Sequence, residues 1–129
     1  MDTSDTFVLI VEDDVAIADV LAAMLRENGY QVLVAYSAGM AMELLTEVRP
    51  AVMTLDAALP GISGPTLLWH IRQQEATREL PVIMISAMVH LEREIGGSVQ
   101  AFLPKPFNLG EVLARVRQLA GPGARAAGA

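Results

Sequence analysis

Asp56 stands at the end of a short apolar run, Ala51-Val52-Met53-Thr54-Leu55, set between Pro50 and the Pro60-Gly61 pair. A second run, Phe7-Val8-Leu9-Ile10-Val11, ends at once in Glu12-Asp13-Asp14; another ends at Ser86, and the last is followed by Pro104-Lys105-Pro106. Carboxylates gathered within a few ångströms repel one another and hold their protons more tightly unless a cation lies among them. Hard oxygen ligands favour Mg²⁺, which keeps several of its waters and combines one or two carboxylates with phosphate oxygens. Asp56, held in this way, is a carboxylate nucleophile for a phosphoryl group and would become an aspartyl phosphate. Lys105 would neutralise charge on the transferred group, and the Ser86 hydroxyl would donate to one of its oxygens. Little further machinery is required, because phosphoryl transfer depends on positioning and electrostatics. Each residue also has a plainer reading: Glu12 and Asp13 as solvated acids or dipole partners of a following helix, Ser86 as a strand-end hydroxyl bonded to backbone, Lys105 as a surface lysine. The chemistry holds only if the fold brings them to one place.

Short continuous apolar runs bounded by turn residues read as strands buried on both faces. Five are present: Phe7 to Val11, Val32 to Ala35, Ala51 to Asp56, Val82 to Ile85, and Val99 to Leu103. Between them apolar residues recur at helical spacing. Ile17, Val20, Leu21, Met24 and Leu25 precede an Asn28-Gly29 stop; Met40, Ala41, Leu44, Leu45 and Val48 follow a Ser37 N-cap and run to Pro50. Leu67, Leu68 and Ile71 share one face, with Trp69 and His70 off it, and Val112, Leu113, Val116 and Leu119 form the last stripe. A weak helix from about Val89 to Ile95 is stopped by Gly96-Gly97. Strands alternating with helices make a parallel sheet covered on both faces. Right-handed crossovers leave few arrangements, of which the order 2-1-3-4-5 sets the first and third strands side by side. Glu12, Asp13 and Asp56 then meet at the carboxyl edge, where α/β proteins bind ligands, beside Ser86 and Lys105.

The 129 residues suit one domain, and 53% hydrophobic content fills a core without a staple. With no cysteine, disulfides and thiolate metal sites are excluded. Apolar runs stop well short of the roughly 18 residues of a membrane span, and the N-terminus lacks the basic start of a signal peptide, so a soluble, cytoplasmic protein is expected. A net charge of −6 argues against direct nucleic acid binding. We expect a single domain over residues 1–121 and a disordered small-residue tail over 122–129.

Taken together, Val11-Glu12-Asp13-Asp14, Asp56-x-x-Leu59-Pro60-x-x-x-Gly64, Ser86-Ala87 and Phe102-Leu103-Pro104-Lys105-Pro106-Phe107 resemble a receiver domain of bacterial two-component response regulators, with its flavodoxin-like fold. The resemblance spans Phe7 to about Ala120. It implies that Asp56 accepts a phosphoryl group from a sensor histidine kinase, or from a histidine phosphotransfer protein in a relay. It also implies Mg²⁺ on Asp13, Asp56 and the backbone carbonyl of Ala58, with Glu12 acting through water and Asp14 outside the site. On phosphorylation Ser86 would move towards the phosphoryl group and Phe102 would rotate inward; the other reading of Phe102 is a core aromatic that never turns.

Between Ser86 and Lys105 the chain is about three residues shorter than typical members, close to one turn at roughly 3.6 residues per turn. The fourth helix should therefore be short, displaced or poorly ordered, which leaves open both the oligomeric state and the dimerisation that many receivers make through it. Two functions follow: a phosphorylation-controlled binding module whose only chemistry is on its own aspartate, acting on a downstream protein, or a pseudo-receiver that works by unphosphorylated contacts. His70 and His90 are assigned to surface or packing roles, Trp69 to packing against a loop, and the methionines to core filling.

Overall fold

In the computed structural model, which describes residues 7–123, strands and helices alternate along the chain. They are β1 Phe7–Val11, α1 Val15–Glu27, β2 Gln31–Ala35, α2 Ala38–Leu45, β3 Val52–Asp56, α3 Gly64–Arg72, β4 Val82–Ser86, α4 Leu91–Ile95, β5 Ala101–Pro104 and α5 Leu109–Ala120. All neighbouring strands are parallel, in the expected order β2-β1-β3-β4-β5.

Every residue of β1, β3 and β4 is buried, because each strand has a neighbour on both sides and helices over both faces. Alternate side chains pack in opposite directions: Leu9, Val11, Met53, Leu55 and Met84 join α2 and α3, while Val8, Ile10, Val52 and Ile83 join α1 and α5. Burying such a side chain contributes about 1.5–3 kcal/mol. Asp14, Ser37, Ser63 and Asn108 start α1, α2, α3 and α5, each side chain accepting a hydrogen bond from a backbone N–H of the first turn. α4 has no such cap: the His90 side chain makes no capping bond, and the helix runs for five residues before a 3-10 turn, Gly96–Ser98.

Several boundaries differ from those read in the sequence. The inward stripe of α1 is Ala18, Leu21, Ala22 and Leu25, which turns Val20 to solvent at 51% exposure. α2 stops at Leu45, well before Pro50: the Thr46 hydroxyl donates to the Glu43 carbonyl at its end, and Val48 falls outside. β5 begins at Ala101 because the 3-10 turn takes up the chain before Val99. Trp69 is 60% exposed and meets His70 edge-to-face rather than packing under a loop. Among the described residues no helix is long and apolar enough to cross a membrane. Of the tail expected over 122–129, residues 124–129 lie outside the described residues, while Gly123 is buried against Asn28 and Gly29.

Candidate functional site

The β1–β3 register pairs Val11 with Leu55, so the two strands deliver Glu12 and Asp56 to the same edge. The next residue on each strand continues the ladder, Glu12 N–H donating to Ala35 and Ala57 N–H to Ile85, both at 3.0 Å. One carboxylate oxygen each from Glu12, Asp13 and Asp56 lie within 4.8 Å of one another. Glu12 and Asp56 are buried, and Asp13 is open to solvent. β4 pairs Ser86 with Pro104, and the Lys105 N–H donates to the Ser86 carbonyl at 2.9 Å, which sets the lysine opposite the acids.

Each buried carboxylate is held at both oxygens. Asp56 Oδ1 accepts from the Ala58 N–H at 2.9 Å, and Oδ2 accepts from Lys105 Nζ at 3.3 Å. Glu12 Oε2 accepts from the Asp14 N–H at 3.1 Å, and Oε1 lies 3.6 Å from Lys105 Nζ. Burial is the first cause that pushes the Glu12 carboxyl up to about 7, with the adjacent Asp56 raising it further, against the Asp14 N–H and the Lys105 charge. Burial thus disfavours the charged form of Glu12 beside a second buried acid, and among the described residues one ammonium, that of Lys105, forms ion pairs with the cluster. Three carboxylates, one of them open to solvent, fit a hard divalent cation. Ala58 follows two residues after Asp56, its N–H on the Asp56 carboxylate.

Ser86 is buried at the end of β4, and its Oγ accepts from the Met88 N–H at 2.9 Å. Phe102 stands two residues back from the edge, opposite Met84 and half-buried against the cluster of α2 and α3. Glu12, Asp13, Asp56 and Lys105 are thus brought together, with Ser86 on the adjoining strand end and Phe102 set apart. Asp14 is turned away, capping α1 through Ile17 N–H.

Gly64 has a role at the site that its place in a turn did not suggest. A Cβ there would lie 2.4 Å from the Asp56 carbonyl oxygen and 2.7 Å from the Ala57 Cα, so only glycine lets α3 press against the strand end that bears Asp56. Its N–H donates to the Ala57 carbonyl at 3.0 Å. Gly61, at φ 74°, makes the preceding turn in a conformation that a side chain would strain.

Comparison with known proteins points the same way. A family described as the response regulator receiver domain matches residues 8–117. The chain is 35% identical over 115 residues to the DNA-binding dual master transcriptional regulator RpaA of a Synechocystis strain, covering 87% of this chain and 48% of that protein. It spans about half the length of the curated relatives it matches. Among solved structures, the Francisella response regulator 1452 receiver domain superposes with a TM-score of 0.83 at 30% identity, over 89% of this chain and 96% of that one. The receiver domain of the sensor histidine kinase PA1611 from Pseudomonas aeruginosa, solved with magnesium in its active-site cleft, gives 0.82 at 28% identity, over 90% and 98%.

Proposed function

We propose how this site works from the premise that the chain belongs to the response regulator receiver domain family: Asp56 is the phosphoacceptor, and its phosphorylation switches a binding surface. The donor is a histidine kinase or a histidine phosphotransfer protein. One observation carries the assignment: of the two buried acids in the three-carboxylate cluster, Asp56 is the one that accepts a hydrogen bond from the lysine ammonium, at 3.3 Å, while Glu12 lies 3.6 Å from it. In the transfer an Asp56 oxygen forms the new bond to phosphorus as the bond to the donor's imidazole nitrogen breaks. The imidazole leaves with the electron pair and takes up a proton.

Glu12, Asp13, Asp56 and the Ala58 carbonyl would hold Mg²⁺, which when bound neutralises charge on the phosphoryl oxygens. Lys105, already at the Asp56 carboxylate, stays with the oxygen charge as it grows. Ser86 accepts from Met88 and still has its hydroxyl hydrogen to donate; turning it to the phosphoryl group gives up the Met88 bond and draws on the β4–α4 loop. Phe102, half-buried on β5, would follow by turning inward. The chemistry is confined to the protein's own aspartate, so the domain is a switch rather than an enzyme with a separate substrate. With a donor of this kind it works in the cytoplasm, and its net charge of −6 favours a protein over nucleic acid as the downstream partner. No observation favours a module that works unphosphorylated, since the acids, serine and lysine are all present on one edge.

Incubation with acetyl phosphate and Mg²⁺ should add one phosphoryl mass to the wild type and none to Asp56→Asn. Labelling that persists in Asp56→Asn would sink the assignment.

A further inference from the structure

Arg72 closes α3, and its half-buried guanidinium is engaged by backbone rather than by an acid. Nη1 donates to the carbonyls of Thr77 and Arg78, both at 3.1 Å. Nε and Nη2 donate to the Ser98 carbonyl at 3.1 and 2.7 Å, and Nη2 lies 3.5 Å from Gln100 Oε1. Among the described residues no carboxylate forms an ion pair with it. Its acceptors are carbonyls at the ends of turns, where helical and 3-10 segments gather partial negative charge. Burial without an acid lowers the guanidinium pKa from its ordinary value while leaving it a cation.

The residues that Arg72 gathers lie where support is thin. α4 has one buried residue, Leu91, and no capping side chain. β5 is a four-residue edge strand, paired among the described residues with β4 alone, and it carries Phe102 within it and Lys105 just beyond. Gln100 ties the start of β5 to the start of β4: its N–H donates to the Val82 carbonyl at 3.0 Å, and its Oε1 accepts from the Val82 N–H at 2.7 Å. Arg72 braces this junction from the side, reaching 26 residues along the chain to Ser98.

We propose that Arg72 is a positioning residue: it stands in for the turn that α4 lacks, and by fixing Ser98 and Gln100 it holds β5, with Phe102 and Lys105, in register on β4. For Lys105 this rests on the function proposed above; for the strand it does not. A lysine cannot replace it, because a single ammonium does not span acceptors on two sides as the guanidinium fork does.

The test is amide hydrogen exchange on the full chain, without phosphodonor, for wild type, Arg72→Ala, Arg72→Lys and Gln100→Leu. Arg72→Ala should speed exchange across residues 98–105 by about tenfold or more, including the Lys105 amide that donates to Ser86, and leave β1 and β3 within about twofold of wild type. Arg72→Lys should behave like Arg72→Ala, and Gln100→Leu should reproduce the effect in part. Acetyl phosphate uptake should slow by roughly three- to tenfold in Arg72→Ala while still reaching one phosphoryl group per chain. Unchanged exchange at 98–105, an equal rise over the whole sheet, full recovery in Arg72→Lys, or faster exchange with unaltered uptake would each overturn the proposal. A wild type that takes up no label overturns the proposed function instead, and exchange at the Lys105 amide then decides whether Arg72 holds the strand.

Discussion

Glu12, Asp13 and Asp56 hang from β1 and β3, strands that are buried along their whole length and paired on both sides. Ser86 faces them from β4, a strand as fully buried and as paired on both sides as β1 and β3, while Lys105 follows β5, of which only Leu103 is buried. The same edge thus joins a stiff half that holds the acids and the root of the Ser86 hydroxyl to a compliant half, the loop after Ser86 and β5, that holds the Met88 N–H and the ammonium. α4 continues the compliant side, uncapped and with five exposed residues running from Ala87 to His90 and on to Glu92 around the single anchor Leu91. A charge placed on the stiff half meets little give there, so its effect is expressed on the other side. The sharpest way to break this contrast is to cut each half in its core. Leu9→Ala should cost about 2–5 kcal/mol in urea unfolding, whereas Leu91→Ala should cost under about 1 kcal/mol globally and show chiefly as faster exchange around α4. Equal global losses would mean that the two halves are one rigid unit.

The stiff half stores an unfavourable charge arrangement, and pH reads it. Glu12 has an ordinary value of 4.5 and is raised to about 7 in the fold. Below about pH 4.5 both states carry the proton; above it the unfolded chain loses the proton while the folded one keeps it, so this group's contribution to stability falls as pH rises and is lost by the time pH passes about 7. Other carboxylates titrate too, so the difference between wild type and Glu12→Gln isolates the effect. In EDTA, Glu12→Gln should gain on wild type between pH 5 and pH 8 by an amount bounded by about 3 kcal/mol. Mg²⁺ should then stabilise wild type at pH 8, and Glu12→Gln less. A difference that does not change with pH would remove the charge strain from the picture.

On the compliant half, Lys105→Ala should slow acetyl phosphate uptake about a hundredfold, the effect of deleting one positioned charge donor. Stability should move far less, since the ammonium is partly exposed and its backbone bond to Ser86 persists.

This contrast also separates what could be read in the sequence from what could not. Phe7 to Val11 and Ala51 to Asp56 are nearly unbroken apolar runs because both faces of those strands are covered, and handedness then left few orders, among them the one that joins their acids. Less was legible where position depends on distant partners. Val20 read as core because small Ala18 and Ala22 carry little hydrophobic signal, although they face inward. Arg72 carried no signal at all, since the carbonyls it serves follow a turn and a helix later. Gly64 was visible as a motif glycine, but its reason, the Asp56 carbonyl oxygen lying where a Cβ would need room, exists only in three dimensions. The start of α4 was uncertain because Met88 to His90 have no capping side chain to mark it.

The smallest expected effect concerns how long the phosphoryl group stays. Ala58 and Met88 both give their N–H groups to the site, Ala58 to Asp56 and Met88 to Ser86, and both side chains are exposed. A polar side chain at either position, beside Asp56 or Ser86, could orient a water for attack, whereas neither a methyl nor a thioether can accept its proton. Hydrolysis of the aspartyl phosphate should therefore be slow, and Ala58→Asn with Met88→Glu should hasten it by at least about tenfold. Because both side chains point to solvent, the double variant should fold and take up label as wild type does, which confines the change to the decay. Decay of the labelled protein, followed by intact mass after the phosphodonor is removed, measures it directly. If the double variant loses its label no faster than wild type, the side chains at 58 and 88 do not set the lifetime, and water reaches the phosphorus by a route that the stiff half of the site already controls.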